Sequence, residues 1–194
     1  MKMWPVDGSA VAEHQTLEDT LSRRRSVRLF SDRALSDDAV LKLCWAAQGI
    51  TDAQGHRTAP SAGARYPLDL YVATPSGCYA YDPPHHRLVR RADDDLRAAL
   101  QWAALSQEAV GQSPAVFVVA ARPERTAAEY GRRGQRYVHL EAGHAAQNLL
   151  LEATAMGFGA VPIGAFDDAR IREVLDLPSD REVVYLIPIG EPAP

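Results

Sequence analysis

Apolar positions in the last third of the chain, from Val138 to Gly164, set the frame for the rest. Val138, Ala142, Ala145, Leu149, Ala153 and Met156 recur at steps of three and four, which predicts one helical stripe. Leu140, Leu150, Leu151 and Ala155 lie off that stripe and are apolar too, so this helix is expected to be buried on more than one side. Gly143, Ala145 and Ala146 leave room for a neighbouring backbone. Gly157 is the expected stop, and GAVPIG after it reads as a short buried strand running into a loop at the edge of a site.

The same reading places the other elements. Leu17 to Arg25 forms a first helix, and RRRSVRLF turns extended after Ser26. Ser36, followed by Asp37 and Asp38, opens a helix carrying Val40, Leu41, Leu43, Cys44 and Ala47 that stops at Gly49. A loop from Thr51 to Tyr66 precedes the strand LDLYVAT over 68–74. CYAY and RLVRR flank the turn DPPHH. Asp93 to Ala104 reads as an amphipathic helix opened by three aspartates, and AVFVVAA over 115–121 as a buried central strand. A polar helix from Pro123 to Arg133 breaks at Gly131 or Gly134. Asp167 caps a helix reaching Leu177, and VVYLIPI over 183–189 is the final strand.

With 194 residues, 46% of them hydrophobic, the chain can bury one sizeable α/β core. Residues 1–16 are aperiodic and read as an N-terminal arm before a single domain over 17–194. A net charge of −4 gives no reason to expect nucleic-acid or membrane partners. Cys44 and Cys78 lack zinc or disulfide spacing. No leader or spanning segment is legible, so the expected location is the cytoplasm.

Two stretches could carry chemistry. Arg24, Arg25, Ser26 and Arg28 place three guanidinium groups around a hydroxyl. That set can hold a phosphate by forked hydrogen bonds, or simply complement a helix end in solvent. In Pro60-Ser61-Ala62-Gly63-Ala64-Arg65, small residues would let a flat ligand lie against backbone while Ser61 and Arg65 orient it. An ordinary surface turn has the same composition.

Other signals are look-alikes. Gly157-Phe158-Gly159 leads out of a helix and lacks the third glycine of a dinucleotide fingerprint. His139 and His144 miss zinc-protease spacing and read as packing or interface groups. His85 and His86 read as solvated turn residues. Cys44, on an apolar helical face, reads as an inert thiol.

Taken in order, RRSVRLF, APSAGARYPLDLYV, GCYAYDPPHHRLV and HLEAGHAAQNLLLEATAMGFGAVPIGAF running on to YLIPIG resemble the flavin-dependent nitroreductase superfamily. The likeness is strongest to its SagB-type dehydrogenase branch, which includes azoline oxidases. It spans about residues 20–190. The resemblance implies an α+β fold, a mostly antiparallel sheet flanked by helices, in an intertwined homodimer with FMN at the interface.

By the same resemblance, Arg24, Ser26 and Arg28 hold the FMN phosphate and ribityl chain, and Arg25 contributes backbone. Pro60, Ser61, Ala62 and Gly63 pack on the flavin from the other subunit, with Arg65 beside them. Pro162, Ile163, Gly164 and Ala165 cover one ring face. The chain stops at Glu191-Pro192-Ala193-Pro194 without the basic segment of classical nitroreductases, so phosphate binding rests on the arginines. Lys2 and Lys42 are the only lysines, and neither supplies the lysine–tyrosine pair of azoline oxidases.

The implied function is NAD(P)H-driven ping-pong reduction of a small organic acceptor on FMN. The alternatives are a SagB-type dehydrogenase or oxidase acting on a peptide or heterocycle, and a non-catalytic flavin-binding dimer.

Overall fold

The computed structural model describes residues 16–194. The expected arm over 1–16 lies outside the described residues except for Thr16. That residue caps α1 (Leu17–Arg23) by accepting from the Asp19 N–H at 3.1 Å. Ser36 does the same for α2 (Asp37–Gln48), accepting from Ala39 N–H at 3.2 Å, and Gly49 closes that helix as expected.

Three strands follow as a meander: β1 (Leu68–Thr74), β2 (Gly77–Asp82) and β3 (Arg87–Ala92). Short helices α3 (Arg97–Ala103) and α4 (Glu108–Gln112) lead to β4 (Ala115–Ala121). After α5 (Pro123–Tyr130) comes the long α6 (Gly134–Ala155), then β5 (Gly159–Ala160), α7 (Asp168–Val174) and β6 (Glu182–Gly190).

The six strands form one sheet in the order β3-β2-β1-β4-β6-β5. Every named strand pair in it is antiparallel. The architecture is therefore α+β rather than the alternating α/β that composition alone allowed.

Because strand side chains alternate between faces, Leu70, Val72, Phe117 and Val119 pack one way, into a core with α2 and α6. Tyr71, Ala73, Val116 and Val118 pack the other way, against α3, α4 and α7. All seven residues of β4 are buried, as its unbroken apolar run required.

The stripe Val138, Ala142, Ala145, Leu149 and Ala153 of α6 is buried. The helix starts four residues before that stripe, at Gly134. A Cβ there would sit 2.7 Å from the Ala127 backbone, so glycine allows α5 and α6 to touch. At the other end, Phe158 N–H bonds Ala153 O at 2.8 Å and Gly157 N–H bonds Thr154 O at 3.1 Å. With Gly157 at φ 81° this is a Schellman stop.

Four expectations change. The helix expected from Asp93 begins only at Arg97, because the Asp95 carboxylate caps the Arg97 N–H at 3.1 Å and leaves Asp93 and Asp94 outside. The helix expected to reach Leu177 ends at Val174, and Asp176 takes a left-handed φ of 47°. The short strand expected at the start of GAVPIG is only Gly159–Ala160, beyond which Ile163 bridges Leu186. His86 is half-buried, with its Nδ1 2.9 Å from the Tyr81 hydroxyl, rather than solvated.

Candidate functional site

The arginine segment runs beside the strand that follows α6. Ser26 bridges Ala160 in parallel, and Val27 N–H donates to Ala160 O at 3.0 Å. Gly159 makes this approach possible, since a Cβ there would lie 2.6 Å from the Val27 side chain. Downstream, the C-terminal stretch clamps the segment: Ser31 N–H donates to Glu191 O at 2.9 Å and Ala193 N–H to Leu29 O at 3.0 Å.

Val27 packs toward the core, while Arg28 and Ser26 are exposed and Arg24 is half-buried. In extended chain, positions 24, 26 and 28 share one side. Arg25 behaves differently: its guanidinium folds back on the Ser22 and Arg24 carbonyls, at 2.9 and 2.8 Å, and closes the end of α1. Among the described residues, the guanidinium groups of Arg24 and Arg28 make no hydrogen bond or ion pair.

Residues 162–165 continue from the same strand. Ile163 is buried and locked to Leu186 by backbone hydrogen bonds of 2.8 and 3.0 Å, so its side chain belongs to the core. Gly164 and Ala165 are exposed, and a Cβ on Gly164 would meet only Tyr185, at 4.0 Å. Gln107 donates to the Ala165 carbonyl at 2.8 Å and fixes this turn.

The other loop is built differently. Gly63, Ala64 and Tyr66 all take left-handed φ values, of 58°, 51° and 46°. Ser61 Oγ accepts the Tyr66 N–H at 2.9 Å, and Arg125 donates to the Tyr66 carbonyl at 3.0 Å. Arg65, expected at the ligand, is paired with Glu129 on α5. Pro60 and Gly63 are exposed, and Ser61 and Ala62 half-buried.

Beneath this loop lies a polar cluster. Arg57 donates to Gln48 Oε1 at 2.5 Å and stacks 4.7 Å from the Tyr66 ring centre. The Tyr66 hydroxyl accepts the Arg57 N–H at 3.2 Å. Glu141 on α6 is only 2% exposed. Burial pushes its carboxyl up to about 7, against the opposing pull of Ser61 and Arg57.

The chain thus brings Arg24, Ser26 and Arg28 together with 162–165. It holds Pro60–Arg65 elsewhere. Glu141, beside Ser61, and Ala155 are separated by about 20 Å of helix, and the arginine segment lies beyond the latter end. The two candidate segments lie at different levels along α6.

Sequence reasoning missed Gln48, Arg57, Gln107 and Glu141. Only Glu141 carried a usable signal: it falls between Val138 and Ala145 at helical spacing, an acid on the buried stripe. Of the remaining candidates, His139 and His144 are exposed on α6. Burial pushes the Cys44 thiol far up, as an inert core residue requires. Among the described residues, no group of three or more His, Cys, Asp and Glu side chains could hold a metal. No described helix is long and apolar enough to cross a membrane.

The chain matches the Nitroreductase family over residues 21–191. It belongs to that family. A protein of Methanocaldococcus jannaschii that carries a nitroreductase name is 43% identical over 184 residues, 92% of each chain. A crystal structure from Ralstonia eutropha JMP134, also bearing a nitroreductase name, superposes with a TM-score of 0.86 at 32% identity, covering 95% of this chain and 87% of its own.

The NADPH:FMN oxidoreductase of Vibrio harveyi, solved with NAD+, shares the fold with a TM-score of 0.69 at 22% identity, over 92% of this chain and 69% of its own. This member of the nitroreductase family is an oxidoreductase with the six-stranded antiparallel sheet described above.

Proposed function

We propose that the protein is an FMN-dependent oxidoreductase that takes electrons from NADH or NADPH and delivers them to a small organic acceptor in ping-pong turnover. The observation that carries this reading is the arginine half-site: two guanidinium groups without a partner among the described residues stand beside an open glycine turn. Such groups suit a phosphate, and the bare turn at Gly164 leaves space for a flat ring against backbone.

Arg24 and Arg28 would hold the phosphate, Ser26 the ribityl hydroxyls, and the backbone of 162–165 one ring face. When bound, FMN supplies the two-electron redox chemistry. The protein's part is position and water exclusion. Gln107 keeps the Ala165 turn in place, and β5 anchors the arginine segment through Val27.

The complete site would form in a homodimer, with loop 60–65 of one copy closing over the arginine half-site of the other. The separation of the half-sites along α6 supports this. So does the surface: Leu17, Leu21 and Leu140 are 60%, 51% and 50% exposed. Among the described residues, nothing covers a groove of about 400 Å³ between α1, α2 and α6, lined by Leu17, Trp45, Leu151 and Ala155.

The test is the visible spectrum of the purified protein, before and after anaerobic NADH or NADPH. A yellow protein that bleaches, and that oxygen or a nitroarene restores, is the expected result. A yellow protein indifferent to nicotinamide would move the reading to a SagB-type enzyme with an organic electron donor, or to a non-catalytic flavin dimer. A colourless protein that cannot be loaded with FMN would end it.

A further inference from the structure

On the sheet face away from α6, a polar cavity of about 380 Å³ opens, lined by Asp69, Tyr71, Asp82, Arg91, Arg122 and Arg181 among others. It lies at the opposite end of β6 from the arginine segment. Ala160 pairs with Ile189 near the end of that strand and Arg181 precedes its start, so about 25 Å of strand separates the two places.

Each cation reaches the cavity from a different segment. Between β2 and β3 the register slips: Cys78 opposes Ala92 while Tyr79 opposes Arg90. Arg91 is therefore the extra residue of a β-bulge, a device that re-aims a side chain. It joins the cavity wall, whereas Arg90 stacks on the Tyr79 ring. Arg122 follows β4 and Arg181 precedes β6, and Asp69 of β1 holds both. Its Oδ2 accepts from Arg122 Nε at 2.9 Å and from Arg181 Nε at 2.8 Å.

These charges do not cancel within the wall. Asp69 is one carboxylate shared by two guanidinium groups. Asp82 is already engaged by Arg87 at 3.0 Å and His85 at 2.9 Å. Asp180 accepts from Arg181 Nη1 at 2.6 Å. That leaves Arg122 Nη1, Arg181 Nη2 and the whole Arg91 guanidinium without a hydrogen bond among the described residues. Tyr71 is only 9% exposed, yet its hydroxyl has no hydrogen-bond partner among those residues either. A phenol this deeply placed ordinarily has one.

We propose that this cavity binds a small organic molecule through an oxyanion, a phosphate or carboxylate group, taken by Tyr71, Arg91 and the outer nitrogens of Arg122 and Arg181. The unbonded nitrogens can only donate, so the ligand brings the acceptor oxygens. Asp69 fixes two of the guanidinium groups in advance, which lowers the cost of ordering them on binding. The volume suits a small molecule, with Pro83 and Pro178 in the wall to meet its apolar part. None of this depends on the flavin reading.

The experiment titrates phenyl phosphate and benzoate into wild type and into Arg24→Glu/Arg28→Glu, which lacks the other candidate phosphate site. Calorimetry reads the affinity, and the arginine Nε–Hε signals in NMR read the place. At least one probe should bind both proteins and shift the Arg91 signal. Arg91→Ala and Tyr71→Phe should each weaken that probe about tenfold or more, the loss of one hydrogen bond to a charged group. Arg91 is exposed and unpaired, and phenylalanine keeps the Tyr71 ring, so both variants should fold.

Binding of phenyl phosphate alone supports the proposal with a phosphoryl ligand, and binding of benzoate alone supports it with a carboxylate. Neither heat nor shift with either probe at about 10 mM, beyond the range of a millimolar site, would overturn it. Binding that Arg91→Ala and Tyr71→Phe leave unchanged would also overturn it. So would binding lost in Arg24→Glu/Arg28→Glu, which would assign the anion to the arginine half-site and leave the flavin reading standing.

Discussion

The two proposed half-sites, at different levels along α6, are made in opposite ways. Around Arg24 and Arg28 the backbone is bonded, by β5 on one side and residues 191–193 on the other, and the guanidinium groups have no partner among the described residues. Around Ser61 the backbone is strained at Ala64 and Tyr66, and the polar side chains are bonded to backbone N–H groups and to one another. One region offers unspent charge on a relaxed frame; the other spends its polar groups to hold a shape. Binding strength is therefore expected to reside in the first region, and steric closure in the second.

The sharpest way to break this comparison is charge reversal in the first region. Arg24→Glu with Arg28→Glu should weaken FMN binding by at least about a hundredfold, the loss of two charge-assisted contacts at about 1.5–3 kcal/mol each. The folded stability should stay within about 0.5 kcal/mol, because neither guanidinium has a partner to lose among the described residues. Flavin titration and a thermal melt on the same sample check both halves. Retention of flavin would remove the phosphate site.

Next in size is the frame itself. Gly159→Val would drive a side chain into Val27, where even a Cβ lies 2.6 Å away. Overpacking of this kind costs about 1–3 kcal/mol, and should lower both the melting temperature and the flavin affinity by detaching the arginine segment from β5.

A smaller effect sharpens the second region. The Glu141 carboxyl has a folded pKa of about 7, raised above the ordinary value of 4.5. A raised acid means that the folded state binds the proton more tightly than the unfolded state. Its contribution to stability is then full below pH 4.5 and lost as pH climbs to about 7. Wild type should lose on the order of 2 kcal/mol relative to Glu141→Gln across that window, as measured by denaturant unfolding at pH 5 and pH 8. Equal slopes for the two proteins would show that Glu141 is not the group responsible.

The smallest expected change is at Gln107→Ala, which frees the Ala165 carbonyl. A loss of about 0.5–1.5 kcal/mol should appear as faster amide exchange at 163–167, with the opposite half-site unaffected.

Most of the frame could be read from the residues because its causes are local. Ser36 and Gly49 bracket α2, Gly157 ends α6, and the seven-residue apolar run of β4 suits a doubly covered strand. Where local signals compete, the reading slipped: Asp93, Asp94 and Asp95 all suit a first turn, and only the fold selects Asp95.

The candidate residues themselves were legible as motifs, but their grouping was not. Nothing in the order of the chain says that Ser26 lies beside Ala160, or that Ser61 lies alongside an earlier part of the helix. Arg57 and Gln48 were hidden for the same reason, since a buried polar pair is recognisable only once both ends are in place.

The central claim, that a complete flavin site takes one half from each of two chains, is tested most directly by mixing defects. Arg24→Glu/Arg28→Glu disables the first half-site. Gly63→Val should disable the second, because its Cβ would crowd the Tyr130 hydroxyl at 2.8 Å from a left-handed backbone. Each variant alone should purify without flavin. Co-expressed with different tags and isolated as the mixed dimer, the two should recover one FMN per dimer, in the one interface where both halves are intact. A mixed dimer as colourless as its parents would contradict the account and place the whole site within a single chain.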